Sequence, residues 1–404
     1  IIENIKAVTL AALKGGADGI TAVNTFGPIP TELLSLGKGG MSGKMLKKKG
    51  LECIRNISEV VKRFERGEKD KRKITIIAVG GISTAQDVWD YAEYGAEFFG
   101  VGSALAGMRH ETLRRYFSVL ENDLRKNRND SSRFEFPRFC TDYKRFKIVD
   151  IEQVADDMKI FRFDRGIEDA NPGQFIFVKV DRHEKPFSIA DSSPLVLLVR
   201  RVGIFTSRLF ELNKGDEVLV RGPYGRGFST EHAATAVLVG GGCGVAPLLL
   251  LAKRLSLKNR KIFVFIGGKT RDQIAFKKEF QALPNCQCFV STDDGSDGEK
   301  GLVTDLLERW LKGAGIKAAK ISFYNCGPEL MMKRLIEIEK ATNPVLVESS
   351  VERYTKCGIG LCGSCSIDGL RTCVDGPIFD FNFLSDSEHF GIFRRTASAR
   401  LTKI

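Results

Sequence analysis

At 404 residues and 43% apolar, the chain has room for roughly two to four domains with cores of their own. Its net charge of +12 is scattered and comes with no nucleic-acid motif, so nucleic acid is excluded as a partner. The densest clusters, Lys44–Lys49, Lys69–Lys73 and Arg125–Arg128, read as solvated surface with a few charges to spare for anionic cofactors. Ten cysteines in so long a chain do not make a disulfide scaffold, and no signal peptide is visible. The expected setting is the cytoplasm.

The chain opens at Ile1 inside an amphipathic helix, 1–14, with Ile1, Ile5, Val8 and Ala12 on one face, which reads as a piece cut at its front. Gly15-Gly16 leads to an apolar strand, 19–24. A long loop with Gly39-Gly40-Met41-Ser42-Gly43 follows, then a helix over 48–66. Strand 74–79 ends in Gly80-Gly81, and helix 83–94 leads to strand 98–101, which ends in Gly102-Ser103. A helix over 110–126 closes the segment. Buried strands alternating with amphipathic helices imply a parallel sheet. Glycines at successive strand ends, each opening a helix, suit a phosphate, because backbone N–H groups face the anion there; the plainer reading is turns.

Ala17-Asp18-Gly19 with Asn24-Thr25, the Gly-Gly-Met-Ser-Gly run, Val-Gly-Gly-Ile at 79–82 and Val-Gly-Ser-Ala at 101–104 resemble the C-terminal half of dihydroorotate dehydrogenase, an FMN-bearing (β/α)8 barrel. The resemblance implies that Val23, Gly43, Gly80, Gly81, Gly102 and Ser103 touch FMN and that Asn24 and Thr25 hold the small-molecule substrate. It covers only three barrel strands, and FMN is implied only if the barrel is completed. The family's catalytic base and flavin lysine belong to the part not covered. Neither Cys53 nor Cys140 stands where that base should be, so no catalytic residue is assigned.

Lys126 to Pro137 is charged and polar and reads as a linker, 126–138. Short β-runs then succeed one another, 143–148, 158–164, 174–180, 195–200 and 217–221, which suggests an antiparallel barrel over 139–230. Within it Lys185-Pro186-Phe187-Ser188 offers a cation, a fixed turn and a hydroxyl, a set that suits a flavin dinucleotide. Arg200-Arg201-Val202 and Phe205-Thr206 are placed to receive the rest of it, and Gly222-Pro223-Tyr224-Gly225 reads as a turn.

A twenty-residue uncharged run, Ala233 to Ala252, has the length of a membrane span. Gly240-Gly241-Gly242-Cys243-Gly244 and Pro247 in its middle argue instead for a strand, a tight turn and a helix, with no membrane span. The turn at a helix start admits a pyrophosphate, though it is not the G-x-G-x-x-G fingerprint. Strand 262–266, the Thr292-Asp293-Asp294-Gly295 end of another, and 323–325 running into Cys326-Gly327-Pro328 complete an α/β domain over 231–345.

Residues 346–404 hold Cys357, Cys362, Cys365 and Cys373, spaced C-x4-C-x2-C-x7-C. The first three follow the plant-type [2Fe–2S] ligand run and the fourth closes the set. Gly358, Gly360 and Gly363 let the loop curl round sulfide. Structural zinc, disulfides and four ordinary thiols are the other readings; zinc sites usually carry two C-x2-C knuckles, and this run has one. So small a domain is expected to be held folded by its metal. Lys356 and Arg371 flank the thiolates, as charge compensation or as plain surface.

Residues 139–404 together resemble the ferredoxin–NADP reductase superfamily, and with the cysteine run the electron-transfer subunit of NAD-dependent dihydroorotate dehydrogenase. The resemblance implies FAD on Lys185, Pro186, Phe187, Ser188, Arg200, Arg201, Val202, Phe205 and Thr206, and nicotinamide nucleotide along Gly241–Pro247 (Gly241, Gly242 and Gly244 among them) and Cys326–Pro328. It implies a relay from dihydroorotate through FMN, [2Fe–2S] and FAD to NAD in pyrimidine biosynthesis. The partners implied are a catalytic FMN-barrel subunit or the other barrel half, in an oligomer. Lys185 stands where the family usually has Arg, which keeps the charge and loses the fork. Two other functions fit less of the chain: a general NAD(P)H flavin and iron–sulfur oxidoreductase module with another acceptor, and a zinc-stabilised, non-catalytic interaction protein.

Overall fold

The structure, a computed structural model, describes residues 4–30, 38–67, 72–126, 142–232, 234–313, 321–396 and 400–404. The chain divides into two compact units, Ile1–Phe139 and Cys140–Ile404. The expected linker lies outside the described residues except for Lys126, and so does Cys140.

In the first unit, β1 (Gly19–Ala22), β4 (Thr75–Val79) and β5 (Phe98–Gly100) form a parallel sheet in that order. Helices α1 (Ile5–Lys14), α2 (Lys47–Gly67), α3 (Ala85–Ala92) and α4 (His110–Leu124) alternate with the strands. Ile54, Ile57 and Val61 recur at helical spacing on α2 and are buried with Ile76 and Ala78 of β4. A reciprocal Thr84–Asp87 capping box starts α3. Among the described residues the sheet is an open three-stranded piece, not a closed barrel. The segment read as one long loop holds a hairpin, β2 (Phe26–Pro30) on β3 (Lys38–Met41). A Cβ on Gly40 would lie 2.7 Å from the Thr25 side chain, so glycine here permits close approach rather than marking a loop.

The second unit begins with seven antiparallel strands: β6 (Lys144–Ala155), β7 (Met158–Phe163), β8 (Phe175–Val180), β9 (His183–Ser188), β10 (Asp191–Ser192), β11 (Leu195–Arg200) and β12 (Glu217–Tyr224). Their order is β10-β11-β7-β6-β12-β8-β9. The sheet wraps a core of Phe146, Phe161, Ile176, Leu197 and Val218, joined by Leu209 of helix α5 (Ile204–Phe210). Lys185–Ser188, expected as a turn, is strand. β9 ends the sheet order, and an edge strand tolerates Pro186 because its missing N–H leaves no ladder bond broken inside the sheet.

The α/β sheet has the order β16-β15-β14-β13-β17-β18-β21. Its strands are β13 (Thr235–Gly241), β14 (Lys261–Gly268), β15 (Cys286–Thr292), β16 (Glu299–Lys300), β17 (Ile321–Cys326) and β18 (Leu346–Ser350), with α6 (Val245–Leu257), α7 (Lys277–Gln281), α8 (Val303–Gly313) and α9 (Glu329–Lys340) between them. After a short hairpin, β19 (Ser366–Ile367) with β20 (Leu370–Arg371), the strand β21 (Ile378–Asp380) pairs antiparallel with β18. Helix α10 (Phe381–Ser385) and a hairpin of β22 (Phe393–Arg395) and β23 (Leu401–Lys403) end the chain. The sheet therefore takes in two strands from beyond position 345. Ile367, Phe379, Leu384 and Phe390 complete its core, so the cysteine segment owes its burial to its neighbours. The described part of the uncharged run, from 234, is strand, turn and helix, and no helix among the described residues is long and apolar enough to cross a membrane.

Candidate functional site

The cysteine loop curls as its glycines allow: Gly358, Gly360 and Gly363 all have positive φ, at 78°, 78° and 67°. The curl turns backbone N–H groups inward. The Cys357 sulfur accepts from Cys373 and from the backbone of Cys362, Ile359 and Leu361, and these bonds hold its thiol well below the usual range against the opposing effect of burial. Cys373 also meets Cys365, whose thiol is lowered, while Cys373 itself, sharing its proton with both sulfurs, is pushed up. Cys365 and Cys373 are each 1% exposed; Cys362 lies at the open edge beside Leu361. Among the described residues no three His, Cys, Asp or Glu side chains converge as a single-ion site. A binuclear centre asks for something different, two thiolates on each of two irons. Four thiols, with loop N–H groups aimed at sulfur, are a donor set that fits it.

The floor under the loop is the outer face of the antiparallel sheet. Phe175, Phe177 and Tyr224 pack with Cys365, Cys373 and Val374. Arg221 of β12, 7% exposed, lies over the Phe177 ring at 3.9 Å and donates to the carbonyl oxygens of Cys357 (3.0 Å) and Lys356 (3.4 Å). On its other side it grips Glu184 with two bonds of 2.8 Å. Arg371 clasps the far side of the loop through the Gly360 carbonyl at 3.0 Å and pairs with Asp375. Lys356 is exposed and lies 5.8 Å from the Tyr354 ring centroid.

Glu184 directly precedes the flavin-type motif. Along β9 Lys185, Pro186, Phe187 and Ser188 are half-buried, with the Lys185 ammonium 4.9 Å from the ring centroid of Tyr354, three residues ahead of Cys357. Arg200 is braced by Asp157 at 2.7 Å, and exposed Arg201 bonds the backbone of Asp157 and Asp156. Thr206 does not offer its hydroxyl outward. It accepts from the N–H of Val202 and Gly203 and so shapes the turn, while Phe205 packs into the core 6.0 Å from Phe187. The exposed side chain of Val202, at 78%, and the uncrowded Gly203 leave one side of that turn open.

The two strand ends of the α/β sheet meet through glycine. A Cβ on Gly244 would lie 2.2 Å from the Cys326 carbonyl oxygen, and one on Gly241 would lie 2.7 Å from the Met331 sulfur. Gly242, at φ 54°, faces open space. The 241–244 turn and Cys326-Gly327-Pro328 are thus one continuous ledge at strand C-termini, where open α/β sheets take ligands. Cys326 is buried, and its thiol is pushed up to about 12 by that burial.

In the first unit the loops gather in the same way. Gly80 at φ 112° packs on the Val23 backbone, Gly81 on the carbonyl of Gly43 and the N–H of Lys47, and Gly43 on the Ser103 hydroxyl. The Tyr91 hydroxyl holds the Gly80 carbonyl at 2.7 Å, and that of Tyr116 holds Ser83 at 2.9 Å. Asn24 and Thr25 are exposed beside this cluster, and Gly102 has nothing within 4 Å of its Cβ position.

Comparison with known proteins follows these features. Residues 352–385 match the family "Iron-sulfur cluster binding domain of dihydroorotate dehydrogenase B", 238–336 match "Oxidoreductase NAD-binding domain", and 2–115 match "Dihydroorotate dehydrogenase". The probable dihydroorotate dehydrogenase B (NAD(+)) electron transfer subunit of Pyrococcus furiosus is 39% identical over 260 residues, 64% of this chain and 98% of that protein. The chain belongs to the family of dihydroorotate dehydrogenase B electron transfer subunits. The Pyrococcus horikoshii member is 40% identical over 259 residues, again 64% and 98% of the two chains. A solved NADH-dependent reduced ferredoxin–NADP oxidoreductase aligns at 28% identity with a TM-score of 0.53, covering 58% of this chain and 87% of that one.

No motif in the sequence marks Arg221, Glu184, Phe175 or Phe177 as part of this site, and Tyr224 reads there only as a turn residue, whereas it ends β12. One signal was present: Phe175 to Val180 is apolar at five of six positions in a strand of an antiparallel sheet, and all six are buried. Such a strand with no polar alternation has both faces covered.

Proposed function

We propose that this chain is the electron-transfer part of an NAD-dependent oxidoreductase that oxidises dihydroorotate to orotate, working in the cytoplasm with a catalytic FMN-barrel subunit. The cysteine loop carries the reading: Cys357, Cys365 and Cys373 meet under inward N–H groups, Cys362 stands at the open edge of the same loop, and the loop is seated on the flavin-type sheet. The family membership and the iron–sulfur and NAD-binding matches support it.

Cys357, Cys362, Cys365 and Cys373 would hold [2Fe–2S]. Lys185 and Ser188 with the 200–206 turn would hold FAD, and Gly241, Gly242, Gly244 and Cys326 would border NAD. When bound, the nicotinamide exchanges a hydride, the flavin one or two electrons and the iron–sulfur centre one. The chain's own side chains position and insulate. Lys185 and Arg200 bring positive charge to an anionic cofactor. Phe187 and Phe205 stiffen the flavin strand against the core. Phe175, Phe177 and Tyr224 keep water from Cys365 and Cys373. Among the described cysteines, Cys243, Cys286, Cys288 and Cys326 have thiols raised by burial and would stay protonated.

The first unit supports the substrate. We assign FMN to Val23, Gly43, Gly80, Gly81, Gly102 and Ser103, and the pyrimidine to Asn24 and Thr25, once a partner completes the barrel in an oligomer. Domain limits at 1–125, 139–230, 231–345 and 346–404 are part of the same proposal. The ferredoxin–NADP oxidoreductase likeness favours one second reading, a module serving another acceptor.

An anaerobic absorbance spectrum with iron, sulfide and flavin content, before and after NADH, tests the assignment. About two Fe and one FAD per chain, bleached by NADH, is expected. Zinc without flavin would refute it. Reduction by dihydroorotate through the catalytic subunit separates the two readings.

A further inference from the structure

We infer that Arg221 is the positioning residue that seats the iron–sulfur loop on the flavin-binding strand, and that its charge raises the reduction potential of the centre. This rests on the iron–sulfur reading of the Cys357–Cys373 loop. The guanidinium joins three elements. Its Nε and Nη2 hold Glu184, next to the flavin motif, each at 2.8 Å. Its Nη1 donates to the Cys357 carbonyl at 3.0 Å and the Tyr224 hydroxyl at 2.9 Å, and Nη2 also reaches the Lys356 carbonyl at 3.4 Å. Its plane rests on Phe177, its cross-strand neighbour. The loop backbone sits directly on this pair, since a Cβ on Gly358 would come 2.8 Å from Phe177 and 3.3 Å from Arg221 Nη1. Only a planar fork with five donors can hold a carboxylate at one edge and two carbonyls at the other.

The orientation matters electrostatically. The carboxylate lies on the side of the flavin strand, and the cationic edge faces the thiolate loop. Water is largely excluded, so the charge is weakly screened. Reduction adds negative charge to the centre, and a fixed cation beside it favours that state. Net charge and hydrogen bonding around the sulfurs are what set such potentials.

The test is an anaerobic redox titration of the full chain, followed by electron paramagnetic resonance and iron analysis, on wild type, Arg221→Gln and Glu184→Gln. Arg221→Gln should lower the midpoint potential of the centre and change its spectrum while flavin content holds. Glu184→Gln should move the potential the opposite way, because it leaves the cation unopposed. A passive brace would give no such pair of opposed shifts. If Arg221→Gln retains no iron, the upward shift in Glu184→Gln decides the matter. Both variants at full iron with the wild-type potential would overturn this inference alone. Wild type without iron would overturn the proposed function beneath it.

Discussion

Glu339 lies on α9 with 0% of its surface exposed. One carboxyl oxygen accepts from Asn325 Nδ2 at 2.8 Å; the other has no partner, and neither has the Asn325 Oδ1. Burial raises its pKa from 4.5 to about 8. At neutral pH the native state holds a proton that the unfolded state has released, so stability falls as pH rises between those two values and levels off above 8. At about 1.4 kcal/mol per pH unit, the penalty is roughly 1 kcal/mol at pH 5 and roughly 5 at pH 9, a change of about 4. Glu339→Gln carries no proton to lose, and its amide can both accept from Asn325 Nδ2 and donate to Oδ1. The variant should match wild type within about 1 kcal/mol at pH 5 and exceed it by several at pH 9. Trp310 of α8, packed 4.6 Å from Phe263 of β14, reports the transition in urea once Trp89→Phe removes the other tryptophan. Other groups titrate over this range too, but they cancel in the difference between the two proteins. A difference that stays constant from pH 5 to pH 9 would refute the reasoning.

Gly244→Ala puts a methyl 2.2 Å from the Cys326 carbonyl, so the ledge must open; overpacking of about 1–3 kcal/mol predicts a rise of roughly fivefold to a hundredfold in the NADH concentration for half-bleaching, with flavin retained. An unchanged titration would remove the ledge from nucleotide binding. Cys365→Ser should lose most of the iron and keep FAD, measured by iron and flavin analysis; a full iron complement would exclude Cys365 as a ligand. Gly81→Ala, with φ 75° and Lys47 N–H at 2.8 Å, should destabilise the first unit by about 1–3 kcal/mol and lower FMN retention in the completed complex. Unchanged melting and FMN content would place that loop away from the cofactor.

Much of the molecule was legible because its signals are local. The strand–glycine–helix joints at 79–85 and 239–245, and the cysteine spacing, each announce themselves within a few residues. What escaped depends on partners far off in the chain. Pro186 looked like a turn because a proline cannot serve an interior strand, and nothing nearby says that β9 lies at an edge. Gly39–Gly43 looked like a loop because the tight approach to Thr25 is set by strand pairing. Arg221 is only the end of the β-run 217–221 in the sequence, because its partner Cys357 lies 136 positions away. The cysteine segment looked self-contained because its spacing is compact, whereas the apolar residues that bury it come from β8 and β12.

That shared wall has a consequence for how the protein matures. Phe175, Phe177 and Tyr224 belong to strands made on the ribosome before the cysteines. Until the loop arrives, three aromatic rings face solvent as one sticky patch. Seating the loop therefore does more than bring the thiols together. It covers that patch, so a substitution that unseats the loop would expose the rings and mark the chain for aggregation or proteolysis as well as costing it the cysteine site.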